Sequence, residues 1–257
     1  MLRRMLSGLI AGACLFAPLL AHANDRAAGD EDDRAADVTH YLALTSGAAL
    51  ARNSVTTAFG GYDSAAQSAI LSATAELRLL SRLALVAGVS YGRASAVDTG
   101  LRPQLGLRLQ LLSRALSGLD ASAFFLFRQD RFTAEDGLFQ GGIALGRNIG
   151  DTSLVLNLVY AQDGEGDDHE GEVRVAALRR VHGGFHLGLE GRYMQALAST
   201  DPKRASVGTP SSEAVMGPVA AFMTGSWSFS VEGGLATREA GRRQTGAVML
   251  AGIGLAL

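Results

Sequence analysis

The stretch SAILSATAELRLLSRLALVAGVSYG, residues 68–92, sets a pattern that most of the chain repeats. In its first arm, apolar side chains occupy every second position from Leu71 to Leu79, and Glu76 and Arg78 lie between them. A period of two is typical of a β-strand, whose successive side chains point to opposite faces. The second arm alternates in the same way after a link of two residues, Ser81 and Arg82. The stretch therefore predicts a β-hairpin with one apolar and one polar face, and each arm has about the 9–11 residues that a tilted strand needs to cross a bilayer.

The first 23 residues have the features of a secretory signal peptide. Arg3 and Arg4 precede an apolar run over residues 9–20, and Ala21-His22-Ala23 supplies a small-x-small cleavage pattern. The alternative is a membrane-anchoring helix, which the run disfavours because a helical span needs about 20 apolar residues.

Cys14 is the only cysteine, and it lies inside this leader. Lipidation of Cys14 is disfavoured because the preceding Ala11-Gly12-Ala13 lacks the aliphatic residue usual three positions earlier. Cleavage after Ala23 would leave a mature chain without cysteine, and therefore without a disulfide framework or a thiolate metal site.

Charge and hydropathy restrict the possible partners. Later segments contain no apolar run long enough for a transmembrane helix, so any membrane crossing has to use strands. Removal of the leader's two arginines takes the formal charge from −2 to −4, which argues against a nucleic-acid partner. Residues 24–37, NDRAAGDEDDRAAD, are acidic and low in complexity, and we expect residues 24–51 to form a flexible periplasmic segment. Residues 38–52 are ambiguous between a strand, a helix and a plug.

The alternation continues through residues 52–257, which we interpret as one domain. Its cleanest strand is PQLGLRLQLL, residues 103–112, in which four leucines alternate with polar residues or glycine. Short links alternate with mostly longer, more polar ones, among them residues 93–101, 195–212 and 238–245, as in membrane barrels with short periplasmic turns and longer outer loops. The pattern predicts an all-β fold, a closed antiparallel up-and-down transmembrane β-barrel of about twelve strands, with ten as the alternative.

Aromatic residues supply an independent indication of a membrane barrel. They lie on the apolar faces of the predicted strands, close to the strand ends, where interfacial girdles are expected. The predicted girdle consists of Tyr91, Phe127, Phe139, Tyr160, Tyr193, Phe185 and Trp227.

The last strand, GAVMLAGIGLAL over residues 246–257, alternates to its final residue. In this feature and in its two-faced strands, the chain resembles the Gram-negative outer-membrane β-barrel class, although it ends with Leu257 where that class usually has an aromatic residue. The resemblance implies a location in the outer membrane, contact with its lipid and lipopolysaccharide, and recognition of the last strand by the barrel-assembly machinery.

The polar faces of the strands would surround the interior of such a barrel, because lipid offers them no hydrogen bonds. The candidate lumen-lining residues are Glu76, Arg78, Arg108, Asp120, Arg128, Glu172, Arg174, His186, Glu190, Arg192 and Glu232. Their acidic and basic charges balance, which fits either a narrow aqueous pore or solute site, or an ion-paired network that fills a closed barrel. Neither a cofactor nor a metal is expected.

Three short motifs carry weak chemical signals. GVSYG, residues 88–92, matches the GxSxG string of serine hydrolases, but that motif needs a strand-to-helix turn and here it continues a strand. His182 and His186 are separated by a turn, which makes a shared metal improbable. The acidic residues of 163–170 could hold calcium or bridge to lipopolysaccharide through cations, although a solvated loop fits them better.

We therefore predict a narrow porin-like channel or a structural outer-membrane barrel, without enzymatic activity. The first alternative is a hydrolase acting on lipid or lipopolysaccharide, for which His40 and His186 are the histidines to test. The second is a soluble periplasmic barrel that binds a ligand, which would turn its apolar face inward.

Overall fold

The computed structural model describes residues 45, 47–50, 53–63, 68–94, 97–129, 137–162, 164, 168–199, 211–240 and 242–257. These residues form twelve strands and one helical turn, Arg114–Ser117. The strands are β1 (Ser54–Asp63), β2 (Ser68–Leu80), β3 (Leu83–Ala94), β4 (Val97–Leu112), β5 (Asp120–Gln129), β6 (Gly137–Ile149), β7 (Thr152–Gln162), β8 (Asp168–His182), β9 (Phe185–Ser199), β10 (Ser212–Thr224), β11 (Trp227–Ala240) and β12 (Arg242–Ala256).

The sheet closes on itself. Each strand pairs antiparallel with its neighbours in sequence, and β1 pairs with β12 from Ser54 opposite Ala256 to Asp63 opposite Ala247. Closure leaves no free edge, which is the condition for a sheet to span lipid. The predicted closed barrel is thus confirmed with twelve strands, and the alternative of ten is wrong.

The two ends of the barrel differ in their connections. At one end, here called the turn end, Gly150, Gly183 and Gly225 have φ angles of 57°, 53° and 57° in two-residue turns. Such tight hairpins need positive φ, which glycine adopts without steric cost. The helical turn also lies at this end and stops at Gly118, whose φ is 70°. The turn of Ser81 and Arg82 between β2 and β3 also lies at this end. The opposite end is here called the loop end.

Strands reach farther toward the loop end than the sequence pattern predicts. β4 begins at Val97, β9 continues to Ser199, and β11 and β12 are separated by one residue. Most of the predicted loops over 93–101 and 238–245 is therefore strand, and so are residues 195–199 of the predicted loop over 195–212. Outside the hydrocarbon layer the backbone hydrogen bonds between strands continue, but the outward side chains contact water and no longer have to be apolar. The alternation used to recognise a strand is therefore lost there.

The outer surface of the barrel is apolar. Leu105, Leu158 and Val231 are 46%, 47% and 44% exposed, whereas Arg108, between the leucines of β4, is 6% exposed and faces inward. A water-soluble protein rarely exposes a continuous apolar surface of this kind. The arrangement excludes the soluble barrel with an apolar interior. Among the described residues, no helix is long and apolar enough to span a membrane.

The inner face is only partly polar. Two apolar clusters line it, one formed by Ala176, Leu178, Val219 and Ala221 and the other by Val215, Ala236, Val248 and Leu250. These clusters lie on β8 and β10 to β12 and reduce the free width of the lumen on that side.

Candidate functional site

A row of charged residues crosses the lumen wall from β8 to β11. Alternation turns Glu172 and Arg174 of β8 inward together. The register then sets Met194 of β9 opposite both Glu172 and Glu213, and Glu213 opposite Arg238. We call Glu172, Arg174, Arg192, Glu213 and Arg238 the charge belt.

The members of the charge belt alternate in sign and contact one another. Glu172 accepts hydrogen bonds from Arg174 Nε at 2.8 Å and Nη2 at 3.0 Å, and it also pairs with Arg192. Arg192 Nη1 lies 3.3 Å from Glu213 Oε1, and Arg238 donates to Glu213 Oε2 from Nε at 2.9 Å and from Nη2 at 2.5 Å. Each carboxylate therefore joins two guanidinium groups, the geometry in which such hydrogen bonds are strong.

The exposure of these side chains shows which charges face the lumen. The side chains of Glu172 and Glu213 are 6% and 7% exposed, whereas those of Arg174, Arg192 and Arg238 are 17%, 22% and 29% exposed. Arg128 of β5 also interacts electrostatically with Glu172. The belt thus presents guanidinium groups to the lumen and holds its carboxylates against the wall.

A segment that precedes β1 lies inside the barrel. The backbone N–H of Thr45 donates to Glu190 Oε1 at 2.6 Å, and Arg108 Nη1 donates to the carbonyl oxygen of Gly47 at 2.9 Å. Ala48 is buried, and its Cβ would lie 2.9 Å from a Cβ placed on Gly146. We call residues 45–50 the N-terminal insert.

The insert occupies the half of the lumen near the turn end. The residues that contact the insert, Arg108, Gly146 and Glu190, each lie within about five residues of the turn end of their strands. Arg108 is also held by Glu76, whose carboxylate lies 3.6 Å away. Of the alternatives open for residues 38–52, the described part forms neither a strand nor a helix and lies inside the barrel, where a plug would lie. The division of the chain at residue 52 stays a prediction, and residues 24–44 lie outside the described residues.

Most of the predicted lumen residues lie on the inner face. Arg108, Asp120, Glu172, His186, Glu190 and Glu232 are buried there, and Glu76, Arg128, Arg174 and Arg192 are partly buried. Arg78 differs, because it is exposed at the turn end and donates to the carbonyl oxygens of Leu80 and Ser81 at 3.4 and 2.7 Å. Arg78 therefore lies at the rim of the barrel and not within the lumen.

Two members of the charge belt are absent from the sequence prediction. Glu213 lies at the second position of its strand, and Arg238 lies in a segment predicted as a loop. The signal for Arg238 was the parity of β11, because it falls on the same face as Glu232.

The predicted aromatic girdle faces outward. Tyr91, Tyr160, Tyr193, Phe185 and Trp227 are exposed, and Phe127 and Phe139 are partly buried against each other with ring centroids 5.1 Å apart. Phe185 and Trp227 each start a strand at the turn end, whereas Tyr91 and Tyr193 lie toward the loop end. This placement is that of interfacial aromatic residues.

The weak catalytic and metal motifs do not form sites among the described residues. Ser90 lies within β3, with no turn into a helix. His182 is exposed, and the buried His186 places Nδ1 3.0 Å from the carbonyl oxygen of Gly184. No group of three His, Cys, Asp or Glu side chains is arranged to hold a metal ion in the part of the chain that the structure describes. His40 lies outside that part.

No protein-family model matches the sequence, and no curated protein sequence is significantly similar to it. Solved structures with the same fold include the NanC porin, with a TM-score of 0.56, 11% identity, and coverage of 79% of this chain and 100% of that chain. Another is the KdgM porin in complex with disordered oligogalacturonate, with a TM-score of 0.50, 11% identity, and coverage of 79% and 99%. LpxR from Salmonella typhimurium has a TM-score of 0.49 at 10% identity and coverage of 79% and 100%. The chain therefore has the fold of Gram-negative outer-membrane β-barrels, in agreement with the predicted class and with a location in the outer membrane.

Proposed function

We propose that this barrel is a narrow porin-like channel of the outer membrane. One observation carries the proposal: a closed barrel with an apolar outer surface holds a continuous belt of charged side chains in its lumen. In membrane barrels the short turns face the periplasm, so the turn end with the N-terminal insert would be the periplasmic mouth.

The charge belt would form the polar lining of the passage. A solute that enters a narrow lumen loses part of its hydration shell, and charged side chains replace the lost contacts. The belt contains three guanidinium groups and two carboxylates, and the carboxylates are the more buried. We therefore expect a weak preference for anions over cations.

Single-channel recording in a planar bilayer tests this proposal. Folded protein is expected to give discrete conductance steps, and Glu213→Gln is expected to increase the anion preference because it removes one of the two belt carboxylates. Asp151→Asn is the matched control, since Asp151 forms its 2.8 Å ion pair with Arg180 at an exposed turn. Folded protein that gives no conductance steps, shown to be folded by its heat-modifiable gel mobility, contradicts the channel function.

We infer that the barrel is not a hydrolase. The support is geometric, since Ser90 lies inside a regular strand and His186 is buried against its own turn. Release of fatty acid or lipid fragments from lipid and lipopolysaccharide should be absent with the folded protein. Release that is lost on His40→Ala or His186→Ala would establish the enzyme instead.

We also propose that the barrel-assembly machinery recognises the last strand. Met249 and Ile253 are exposed on the outer face of β12, and Leu257, which follows it, is also exposed. A partner strand can contact this alternating apolar pattern. Removal of Leu257 should lower the amount of folded barrel in the outer membrane, as measured by gel mobility of membrane fractions. Contact with lipopolysaccharide is proposed for the loop end only, because that end would face the outer leaflet.

A further inference from the structure

Two arginines lie on the outer, apolar face of the barrel near the turn end. Arg147 of β6 and Arg179 of β8 are both exposed, and their strands alternate so that each shares a face with lipid-facing residues such as Ile143 and Val175. Neither guanidinium forms a hydrogen bond or ion pair with another of the described residues. A cation at the edge of a hydrocarbon layer needs an anionic partner, and the part of the chain that the structure describes supplies none to Arg147 or Arg179.

An apolar groove of about 500 Å³ adjoins these arginines. It runs across the outer face between two rows of side chains that the strand register aligns. The row toward the loop end consists of Leu145, Leu156, Val175, Gly191 and Met216, and the row toward the turn end consists of Arg147, Leu154, Ala177 and Leu189.

Small residues make the groove deep at its centre. Ala177 and Gly191 lie on adjacent strands between the larger side chains of Leu154, Leu189 and Met216. The two small residues therefore interrupt the layer of large side chains on the outer face. From β6 to β10 the groove crosses four inter-strand spacings of about 4.8 Å, or about 19 Å in total. One leaflet is about half as thick as the ~30 Å hydrocarbon core, and an acyl chain spans about one leaflet. The length of the groove is therefore similar to that of one acyl chain.

The arginines are at the height where lipid headgroups are expected. Arg147 lies at one end of the groove. Arg179 follows Ala177 by two residues, on the same face of β8 and closer to the turn end. Phe185, a member of the predicted girdle, pairs with His182 at that end, and Leu187 pairs with Arg179. Arginine side chains at this depth extend their guanidinium groups to the interface, where phosphate is the available anion.

We propose that this groove is a binding site for one phospholipid of the leaflet at the turn end. Its phosphate would contact Arg147 and Arg179, and one acyl chain would lie in the groove over Ala177 and Gly191. The occupant follows from charge complementarity, because an apolar groove next to two arginines with no anionic partner among the described residues matches an anionic headgroup joined to a hydrocarbon chain. This site is independent of conduction through the lumen.

Native mass spectrometry of the full mature barrel in detergent tests the site, with dioleoyl phosphatidylglycerol as the probe. The wild type is expected to retain one lipid molecule. The double variant Arg147→Gln/Arg179→Gln is expected to bind it about tenfold more weakly, since each arginine near a lipid surface contributes appreciably to the attraction. Dioleoyl glycerol, which lacks the phosphate, should bind the wild type no better than it binds this variant.

A second variant tests the apolar part of the site while both arginines remain. Ala177→Leu should fill the groove and lower lipid retention at least severalfold, whereas Ala73→Leu, another lipid-facing alanine, should not. Arg243→Gln, which removes an exposed arginine near the loop end, is the control for charge alone. The substituted arginines are exposed and the substituted alanines are partly buried on the outer face, and heat-modifiable mobility verifies that all variants fold.

Three results would overturn the proposal. The first is equal phosphatidylglycerol retention by the wild type and the double arginine variant. The second is equal retention by Ala177→Leu and Ala73→Leu. The third is a wild-type dimer that Ala177→Leu dissociates, which would assign the groove to a second copy of the chain.

Discussion

At the scale of single residues, Glu172 links Arg174 and Arg192 within the charge belt. It receives both hydrogen bonds of Arg174 and also pairs with Arg192. Removal of one partner from a buried ion pair is costly, because the remaining charge keeps its burial and loses its compensation. Loss of the carboxylate would therefore leave two guanidinium groups close together without a counter-charge between them.

Glu172→Gln should accordingly destabilise the folded barrel by about 3 kcal/mol, toward the lower end for a broken buried pair because both arginines are partly exposed. The free energy of unfolding can be measured by urea titration in detergent, with the fluorescence of Trp227 as the signal. Asp151→Asn breaks an ion pair of the same 2.8 Å length whose side chains are 55% and 44% exposed. Asp151→Asn should lower the free energy of unfolding by less than about 1 kcal/mol. Equal losses for the two variants would show that burial does not determine the strength of these pairs.

At the scale of strands, β10 and β11 approach each other closely at facing glycines. A Cβ on Gly217 would lie 2.2 Å from the carbonyl oxygen of Gly233 and 2.6 Å from the Cα of Gly234. In a small barrel such close approaches accompany sharp local curvature, which glycine permits because it has no side chain. Gly233 contributes its carbonyl oxygen to this contact, but a Cβ on Gly233 itself would meet nothing within 4 Å.

Gly217→Ala should therefore destabilise the barrel by about 1–3 kcal/mol, since the added methyl group forces two backbones apart. Gly233→Ala should change stability by no more than about 0.5 kcal/mol, as for a surface substitution. The same urea titration measures both. A small effect of Gly217→Ala would mean that the two strands separate easily at this point.

The strands also show how far the fold follows from sequence. Within the hydrocarbon layer, lipid and lumen impose opposite polarities on alternate residues, so β2, β4 and β9 are recognisable from their pattern alone. Toward the loop end water contacts both faces, and the pattern fades while the backbone ladder continues. Arg238 was missed for this reason, although it belongs to the charge belt.

At the scale of the whole molecule, the apolar outer surface determines where the barrel is stable. Leu158 lies near the middle of β7 and is 47% exposed, and Leu101 lies near the loop-end girdle, opposite Tyr91. Arginine on the lipid face costs about 2–4 kcal/mol at the bilayer midplane and about 0–1 kcal/mol near the interfaces. Leu158→Arg should thus lower folding stability in phospholipid vesicles far more than Leu101→Arg. Similar stabilities for the two variants would contradict the assigned membrane depth.

The interior of the barrel was less predictable than its wall. Alternation identifies which side chains face inward, but it does not state which of them meet across strands or what else occupies the lumen. Residues 45–50 have no alternation to reveal them, and they are held by a backbone N–H and a carbonyl group that every residue except proline possesses. Only the register of the closed sheet brings Arg108, Gly146 and Glu190 together around them.

The insert gives the channel proposal its most direct test. Cys14 is the only cysteine of the sequence, so in protein expressed without residues 1–23 the double variant Ala48→Cys/Gly146→Cys introduces the only two. The corresponding Cβ atoms would lie 2.9 Å apart, and a small shift brings them to the ~3.8 Å of a disulfide. The oxidised variant should conduct no better than the wild type, because its insert is fixed in the lumen. Its reduced form, with two side chains crowding that contact, should show larger or more frequent openings, and each single-cysteine variant should be insensitive to oxidation. If oxidation and reduction leave the conductance of the double variant unchanged although the disulfide forms, the insert does not control the passage.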